Sequence, residues 1–562
     1  MRVYRSPRKD IDIPKVDLLT LLFDSPWGQA EESRKIHVEA ANPDNFITKA
    51  GARTLVKQIA YVLRNDYGIG AKGPGKDVVL TVVNGSPFAP VLFYGIVAAG
   101  GVFCGASTES QTSELVRQAT DGAAKIIVGS PECEEKISAT AEKCSISLNN
   151  VLILDSATPK QWRLTAASTR QCVLAKANGK EMDWQPITDQ RDLETTSICL
   201  LYSSGTTGLP KGVRVSHSGL VANNVCTMDP AVRYKERCRR QGKAFSFDTI
   251  AHLPMANIAG VSLYSTNPFY MGGTTYWMKK YTFEDFIEYH RRYRPAYQFT
   301  VPPIWLRIAK SDNITDHFDG LQVAVTGSAP IGEGTMRDVQ KKLGKGHCLI
   351  AQTWGATEAS GVITALDWST FKDQGIWSVG ELCPNVRLRI VDDDDKDIDD
   401  GKPGEFLLGG PILAQGYHNR PRETKETFAD GWYRSGDIGI CKDGHVYILD
   451  RKKELIKFKG AQVAPAELEA LLNSHPKIAD AAAIGVWSDE QQTEVPRAYV
   501  VKKGEISATE VANFVKGQVA SYKQLRGGVY FMDEIPKSAS GKILRKDLRQ
   551  IAAAERSMRP KL

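Results

Sequence analysis

Tyr202-Ser-Ser-Gly-Thr-Thr-Gly-Leu-Pro-Lys211-Gly212 follows the apolar run 197–202 and leads into Val213-Arg-Val215. Two strand-like runs therefore flank a loop of glycines and hydroxyls that ends in a lysine. Glycine lets the backbone turn tightly and aim several N–H groups at one point, while Ser203, Ser204, Thr206 and Thr207 add donors and Lys211 a point charge. This is the composition of a phosphate cradle. It is not a Walker A loop, which needs Gly directly before Lys and Ser or Thr directly after; here Pro210 precedes Lys211 and Gly212 follows. A flexible Ser/Gly linker does not fit between a buried strand and its continuation.

Around this loop, apolar runs suited to strands (78–83, 101–105, 124–128, 150–154, 299–301, 321–325) alternate with helical patterns such as 90–99 and 282–293. That alternation predicts an α/β fold with largely parallel strands. Near residue 386 the pattern changes to short strands (386–392, 404–409, 445–449) separated by acidic or Gly/Pro turns, as expected of a small β-subdomain closing the large one. The acidic run 392–400 reads as a solvated turn rather than a metal site. After Asp450-Arg451 the runs 465–474 and 508–519 read as helices and 481–486 and 497–501 as strands, a compact α+β module. The expected organisation is a large N-terminal domain of layered α/β subdomains, residues 1–450, and a mobile small C-terminal domain, residues 451–562.

Charge follows the same division. The chain of 562 residues has a net charge of +7, and the segment from Arg451 onward, with 20 basic and 13 acidic residues, carries all of it. A basic excess confined to one small module points to anionic ligands, whereas the mild overall balance and the lack of a recognition motif exclude a nucleic-acid partner. The ten cysteines show no CxxC spacing, which argues against a zinc site or a disulfide framework. Residues between Asp77 and Glu109 carry no charge, but Asn84, Gly85, Ser86 and Pro87 interrupt them, so no membrane span is expected. The first ten residues lack the apolar core of a secretory signal.

Ser203–Gly212 resembles the signature loop of the adenylate-forming (ANL) superfamily: acyl-CoA synthetases, 4-coumarate–CoA ligases, luciferases and peptide-synthetase adenylation domains. Four further segments match in order: Gln352-Thr-Trp-Gly-Ala-Thr-Glu358; Tyr433-Arg-Ser-Gly-Asp437; Asp450-Arg-Lys-Lys-Glu-Leu-Ile-Lys-Phe-Lys-Gly460 with Gln462-Val-Ala-Pro-Ala-Glu-Leu-Glu469; and Pro536-Lys-Ser-Ala-Ser-Gly-Lys542. Five collinear motifs between residues 203 and 542 make the resemblance specific; it extends over about residues 77–548 and is strongest to the acyl-CoA synthetase and 4-coumarate–CoA ligase branch.

The resemblance implies an AMP-forming acid–thiol ligase that uses ATP, Mg²⁺ and coenzyme A. A carboxylate first gives an acyl-adenylate and pyrophosphate, and the CoA thiol then displaces AMP. Crowded phosphate oxygens make positioning and charge neutralisation the main catalytic tasks. By resemblance, Ser203, Ser204, Gly205, Thr206, Thr207, Gly208 and Lys211 embrace the β- and γ-phosphates. Gln352, Thr353, Trp354 and Gly355 belong to the ATP site, Thr357 contacts the α-phosphate, and Glu358 holds Mg²⁺ through a hard carboxylate oxygen. Asp437 accepts from the ribose hydroxyls and Arg451 reaches the ribose or phosphates. Lys542 neutralises the adenylation transition state. Lys457, with Lys459, Gly460 and Gln462, forms a second face that serves thioester formation after the small domain turns about Lys453.

The acid pocket is expected at Asn257, Thr326, Gly327, Gly355 and Ala356. Close relatives carry His where Asn257 stands. No acid occurs in 256–260 to pair an α-amine, so an amino acid is disfavoured; the small residues leave room for an aryl, phenylpropanoid-like or fatty tail. The alternatives are an aryl-acid adenylating enzyme that loads a separate carrier protein, a luciferase-like oxygenase and a non-catalytic nucleotide binder. Pro560-Lys561-Leu562 resembles a peroxisomal signal, implying an import receptor and a peroxisomal location, with the cytoplasm as the alternative.

Overall fold

The computed structural model describes residues 1–156, 161–176, 178–203, 210–368, 378–459, 461–538 and 541–558. Ser204–Gly208, Gly460 and Pro560–Leu562 lie outside the described residues.

The loop's flanking strands, Ser197–Ser203 and Lys211–Ser216, pair antiparallel with Lys211 opposite Ser203. They form one edge of a seven-stranded sheet that continues through Gly101–Gly105, Asp77–Val82, Ala124–Gly129, Val151–Asp155 and Arg163–Ala166. The inner pairings are parallel, and the sheet is antiparallel at both margins. Asp77–Val82 is buried at every position, as a central parallel strand covered on both faces must be. The helix Phe88–Ala98 behind it is buried all round, which accounts for the long uncharged stretch. No helix among the described residues is long and apolar enough to cross a membrane.

A second layer contains a four-stranded sheet and the parallel strands Tyr297–Thr300, Val323–Thr326 and Leu349–Gln352. In register, Thr300, Thr326 and Gln352 stand side by side at the carboxyl ends of these three strands, the position where open parallel sheets bind ligands. One apolar cluster runs through both layers.

The β-subdomain is an eight-stranded antiparallel sheet. It extends beyond the three expected strands: Tyr4–Arg5 and Thr364–Ala365 join it, and Trp432–Lys442 forms its long hairpin with His445–Arg451. Strict alternation of buried and half-buried residues along Trp432–Cys441 shows a strand with one face in the core.

The small domain has its own apolar clusters. Its three-stranded sheet contains Ile478–Ser488, Thr493–Lys502 and Val529–Phe531, packed with helices Pro465–Asn473, Ala508–Lys516 and Arg545–Met558. Ser507 and Glu510 form a reciprocal capping box that starts the second helix. The third helix is anchored by a bidentate pair of Arg545 and Glu469 at 2.7 and 2.8 Å. Burial raises the Glu469 carboxyl against the Arg545 guanidinium, which favours the charged form.

Candidate active site

Asp437 and Arg451 face each other across the hairpin of the β-subdomain. Ser435 shapes the turn into Asp437: its hydroxyl donates to the Phe406 carbonyl and accepts from the Asp437 N–H, each at 3.0 Å. The Asp437 carboxylate takes the Trp354 indole N–H on Oδ2 at 2.9 Å and lies 3.4 Å from Arg451 Nε through Oδ1. Burial raises its pKa, while Arg451, Trp354 and Lys542 pull it down.

Trp354 belongs to the segment that leaves the Leu349–Gln352 strand. Its N–H donates to Thr364 Oγ1 at 3.0 Å, and the hairpin pairs Gly355 with Val362. Four residues on is Glu358, a buried carboxylate. Among the described residues its two hydrogen-bond donors, the Ser203 hydroxyl at 3.0 Å and the Tyr417 phenol at 3.2 Å, reach the same oxygen, Oε1. Both donors are neutral, and neither engages Oε2. Burial, and then Glu358 itself, push the Tyr417 phenol up, so it remains a donor. The Lys211 ammonium stands 4.8 Å above the Tyr417 ring, which ties the loop's lysine to the same cluster.

Lys542 completes the site from the small domain. Gly541 directly before it has φ +76, and a Cβ there would lie 3.2 Å from both Pro303 Cδ and Val301 Cγ2 of the large domain. Only a residue without a side chain both adopts that backbone and allows the approach. The Lys542 amine is lowered to about 8 by burial and by Arg451, with Glu358 and Asp437 opposing the shift. Two carboxylates and two cations thus meet where five sequence motifs converge.

The Lys457 face is elsewhere. Lys457, on the Ile456–Phe458 strand, is exposed and pairs in register with exposed Gln462. Its backbone is held by Glu494 and Thr493 at 2.8 and 2.7 Å, and its charge acts on Asp393 of the acidic turn. Lys459 adopts φ +46 and its N–H bonds Thr493 Oγ1 at 3.0 Å. Lys453 lies beside Glu454 at 3.8 Å, its amine lowered to about 8 mainly by burial.

The acid-pocket residues divide differently. Thr326 is buried and its hydroxyl has no hydrogen-bond partner among the described residues, and Gln352 Oε1 accepts from the Ile331 N–H at 3.4 Å. Asn257 Oδ1 accepts from the Gly260 N–H at 3.1 Å, the geometry of a helix N-cap. A Cβ at Gly355 would lie 2.7 Å from the Gly361 carbonyl oxygen, so the close hairpin requires this glycine. Gly327 is also tight, with Thr353 Cγ2 and O at 3.1 Å from such a Cβ. Sequence reasoning missed Tyr417, because nothing in the run 411–418 marks it; a long-range bridge to Val213 brings it to the site.

The chain matches the family model of the AMP-binding enzyme over residues 28–418 and that of the AMP-binding enzyme C-terminal domain over residues 467–542. It is 43% identical to an Emericella nidulans protein bearing an acyl-coenzyme A synthetase name, covering 99% of each chain. It is 33% identical to a phenylacetyl-CoA ligase of Aspergillus niger, covering 95% of this chain and 97% of that one. Among solved structures, ATP-bound MatB from Rhodopseudomonas palustris superposes with a TM-score of 0.78 at 25% identity, covering 95% of this chain and 98% of that one. With matching family domains on both sides of the converged site, the chain belongs to the AMP-binding enzymes of the adenylate-forming superfamily and is an AMP-forming acid–thiol ligase.

Proposed function

We propose that this ligase activates an aryl, phenylpropanoid-like or fatty acid with MgATP on a large domain ending near Asp450, and passes the acyl group to CoA after the small domain turns about Lys453. The observation that carries the reading is Lys542 within electrostatic reach of Glu358, Asp437 and Arg451, on a turn packed against Val301 and Pro303, while Lys457 is exposed.

In the first step a carboxylate oxygen attacks the α-phosphorus and the bond to pyrophosphate breaks. Negative charge gathers on the α-phosphoryl and pyrophosphate oxygens. Lys542 neutralises it from one side, and Lys211 with the hydroxyls of the 203–208 loop from the other. Thr357 orients the α-phosphate. Asp437, oriented by Trp354 and Arg451, holds the ribose hydroxyls. Glu358 fits a magnesium ion because a carboxylate is a hard oxygen ligand and, among the described residues, neutral donors engage its Oε1 and none engages Oε2. When bound, the ion would supply charge neutralisation at the polyphosphate. In the second step the CoA sulfur attacks the acyl carbon and AMP leaves. Lys457, Lys459, Gly460 and Gln462 supply that face.

Thr326 and Gly327 lie at the strand ends where the acid must approach Thr357. CoA appears in the names of both relatives, which favours free CoA over a carrier protein as the acceptor. A panel of aryl, phenylpropanoid and fatty acids, scored for AMP release dependent on both MgATP and CoA, tests the proposal. AMP release with a carrier thiol but not with CoA, or with none of these acids, overturns it.

A further inference from the structure

The helix Pro302–Lys310 touches the small domain at both ends. At its start, Val301 and Pro303 cradle Gly541, immediately before Lys542. At its end, the Lys310 amine donates to the carbonyls of Ile478 and, at 3.2 Å, Ala479 of the small domain. Lys503 of the small domain returns a bond to the Lys310 carbonyl at 3.0 Å. The helix is nine residues long, so the two contacts stand about 13 Å apart.

Each partner in this exchange has a reason to need the other. A helix's last carbonyls lack intrahelical donors, and Lys503 satisfies one of them. The strand Ile478–Ser488 shifts register between Ile478 and Asp480, so Ala479 is skipped in the ladder and its carbonyl is left over. Lys310 takes it. Asp480 then pairs with Lys537 and draws on the Lys310 charge as well. Burial lowers the Lys310 amine to about 8, partly countered by Asp480. These bonds link residues more than 160 positions apart and exist only while the small domain is docked.

We propose that Lys310 is a positioning residue for adenylation: with Lys503 it latches the small domain in the orientation that delivers Lys542, and the latch opens before thioester formation. This rests on the two-face reading above. Lys310 has no contact with Glu358, Asp437 or Arg451; it acts through the placement of the 541–542 turn.

The test compares the wild-type chain with Lys310→Met, Lys310→Arg and Lys503→Met. Electron–electron distances are measured between spin labels at the exposed positions Lys341→Cys and Lys516→Cys, with the two half-buried thiols replaced (Cys144→Ser, Cys172→Ser). A narrow distribution is expected in the wild type and in Lys310→Arg, and a broad one in Lys310→Met and Lys503→Met. With the acid selected by the panel, pyrophosphate exchange is expected to fall about tenfold in Lys310→Met, while thioester formation from supplied acyl-adenylate stays within about twofold of wild type. A broad distribution in the wild type, an unchanged narrow one in both Met variants, or equal losses in both half-reactions overturns the latch. Should no acid support exchange, the functional reading falls, and the distance distributions still decide the latch.

Discussion

Two lysine-bearing turns of the small domain sit in opposite physical settings. The 541–542 turn is pressed against Val301 and Pro303, and its amine faces two carboxylates and a guanidinium. The 456–463 hairpin is hydrogen-bonded to its own domain through Thr493 and Glu494, and both Lys457 and Gln462 are exposed. On the two-face reading proposed above, this orientation serves adenylation. Half-buried Lys542 has carboxylates to act beside, whereas Lys457 is exposed, so that reading requires the domain to move before the second face has work.

The comparison is most exposed to Lys542→Ala. Pyrophosphate exchange should fall about a thousandfold, because a buried cation opposite developing charge is removed, while thioester formation from supplied adenylate persists. Comparable losses in both half-reactions would break the two-face distinction. Glu358→Gln comes next. It keeps the shape and the Ser203 and Tyr417 contacts but drops the charge, so exchange should fall roughly a hundredfold, with the apparent affinity for magnesium weakened alongside. An unchanged magnesium dependence would remove Glu358 from that role. Lys457→Ala inverts the pattern: thioester formation should drop roughly thirtyfold with exchange nearly unaltered. A loss in exchange as large as that in thioester formation would mean that Lys457 reaches the site in the docked orientation too.

These targets were not equally legible in the sequence. The 197–203 strand, the loop and the lysine after it follow from local composition, because a tight phosphate-binding turn restricts residue types over a short span. The central strands 77–82 and 101–105 were legible from their apolar runs. Lys542, Asp437 and Glu358 required motif resemblance, since a lone lysine or acid carries no local signal. Tyr417 and Lys310 were not legible. Their partners lie 59 residues away at Glu358 and 168 residues away at Ile478, and no periodicity records such a meeting. Asn257 shows the converse. Its departure from the histidine of close relatives reads in sequence as a change in the acid pocket, and the fold adds a local role that the sequence does not show, with its side chain capping the turn to Gly260. The Arg545–Met558 helix also escaped notice, because its start abuts the Lys542 motif and its few buried apolar residues include Leu548 and Ala552.

The smallest predicted effect concerns pH, and it separates docking from chemistry. The Lys542 amine has an ordinary value of 10.5 and is lowered to about 8 where it docks, so the docked form holds its proton less tightly than the released form. Docking therefore bears its full penalty below about 8 and gains stability as pH rises from there toward 10.5. The chemistry runs the other way, since only the cation neutralises the transition state. Glu358 and Asp437 favour the proton; Arg451 and Lys453 oppose it. At limiting ATP, exchange should fall roughly eightfold between about pH 7.5 and about pH 9, even as the small domain is held more firmly. Saturating ATP should shift the fall to higher pH, because polyphosphate stabilises the cation. Lys542→Arg keeps its charge throughout and should flatten the profile at whatever rate it retains. A profile that falls equally in Lys542→Arg would assign the titration to another group, with Lys453→Gln as the next variant to measure.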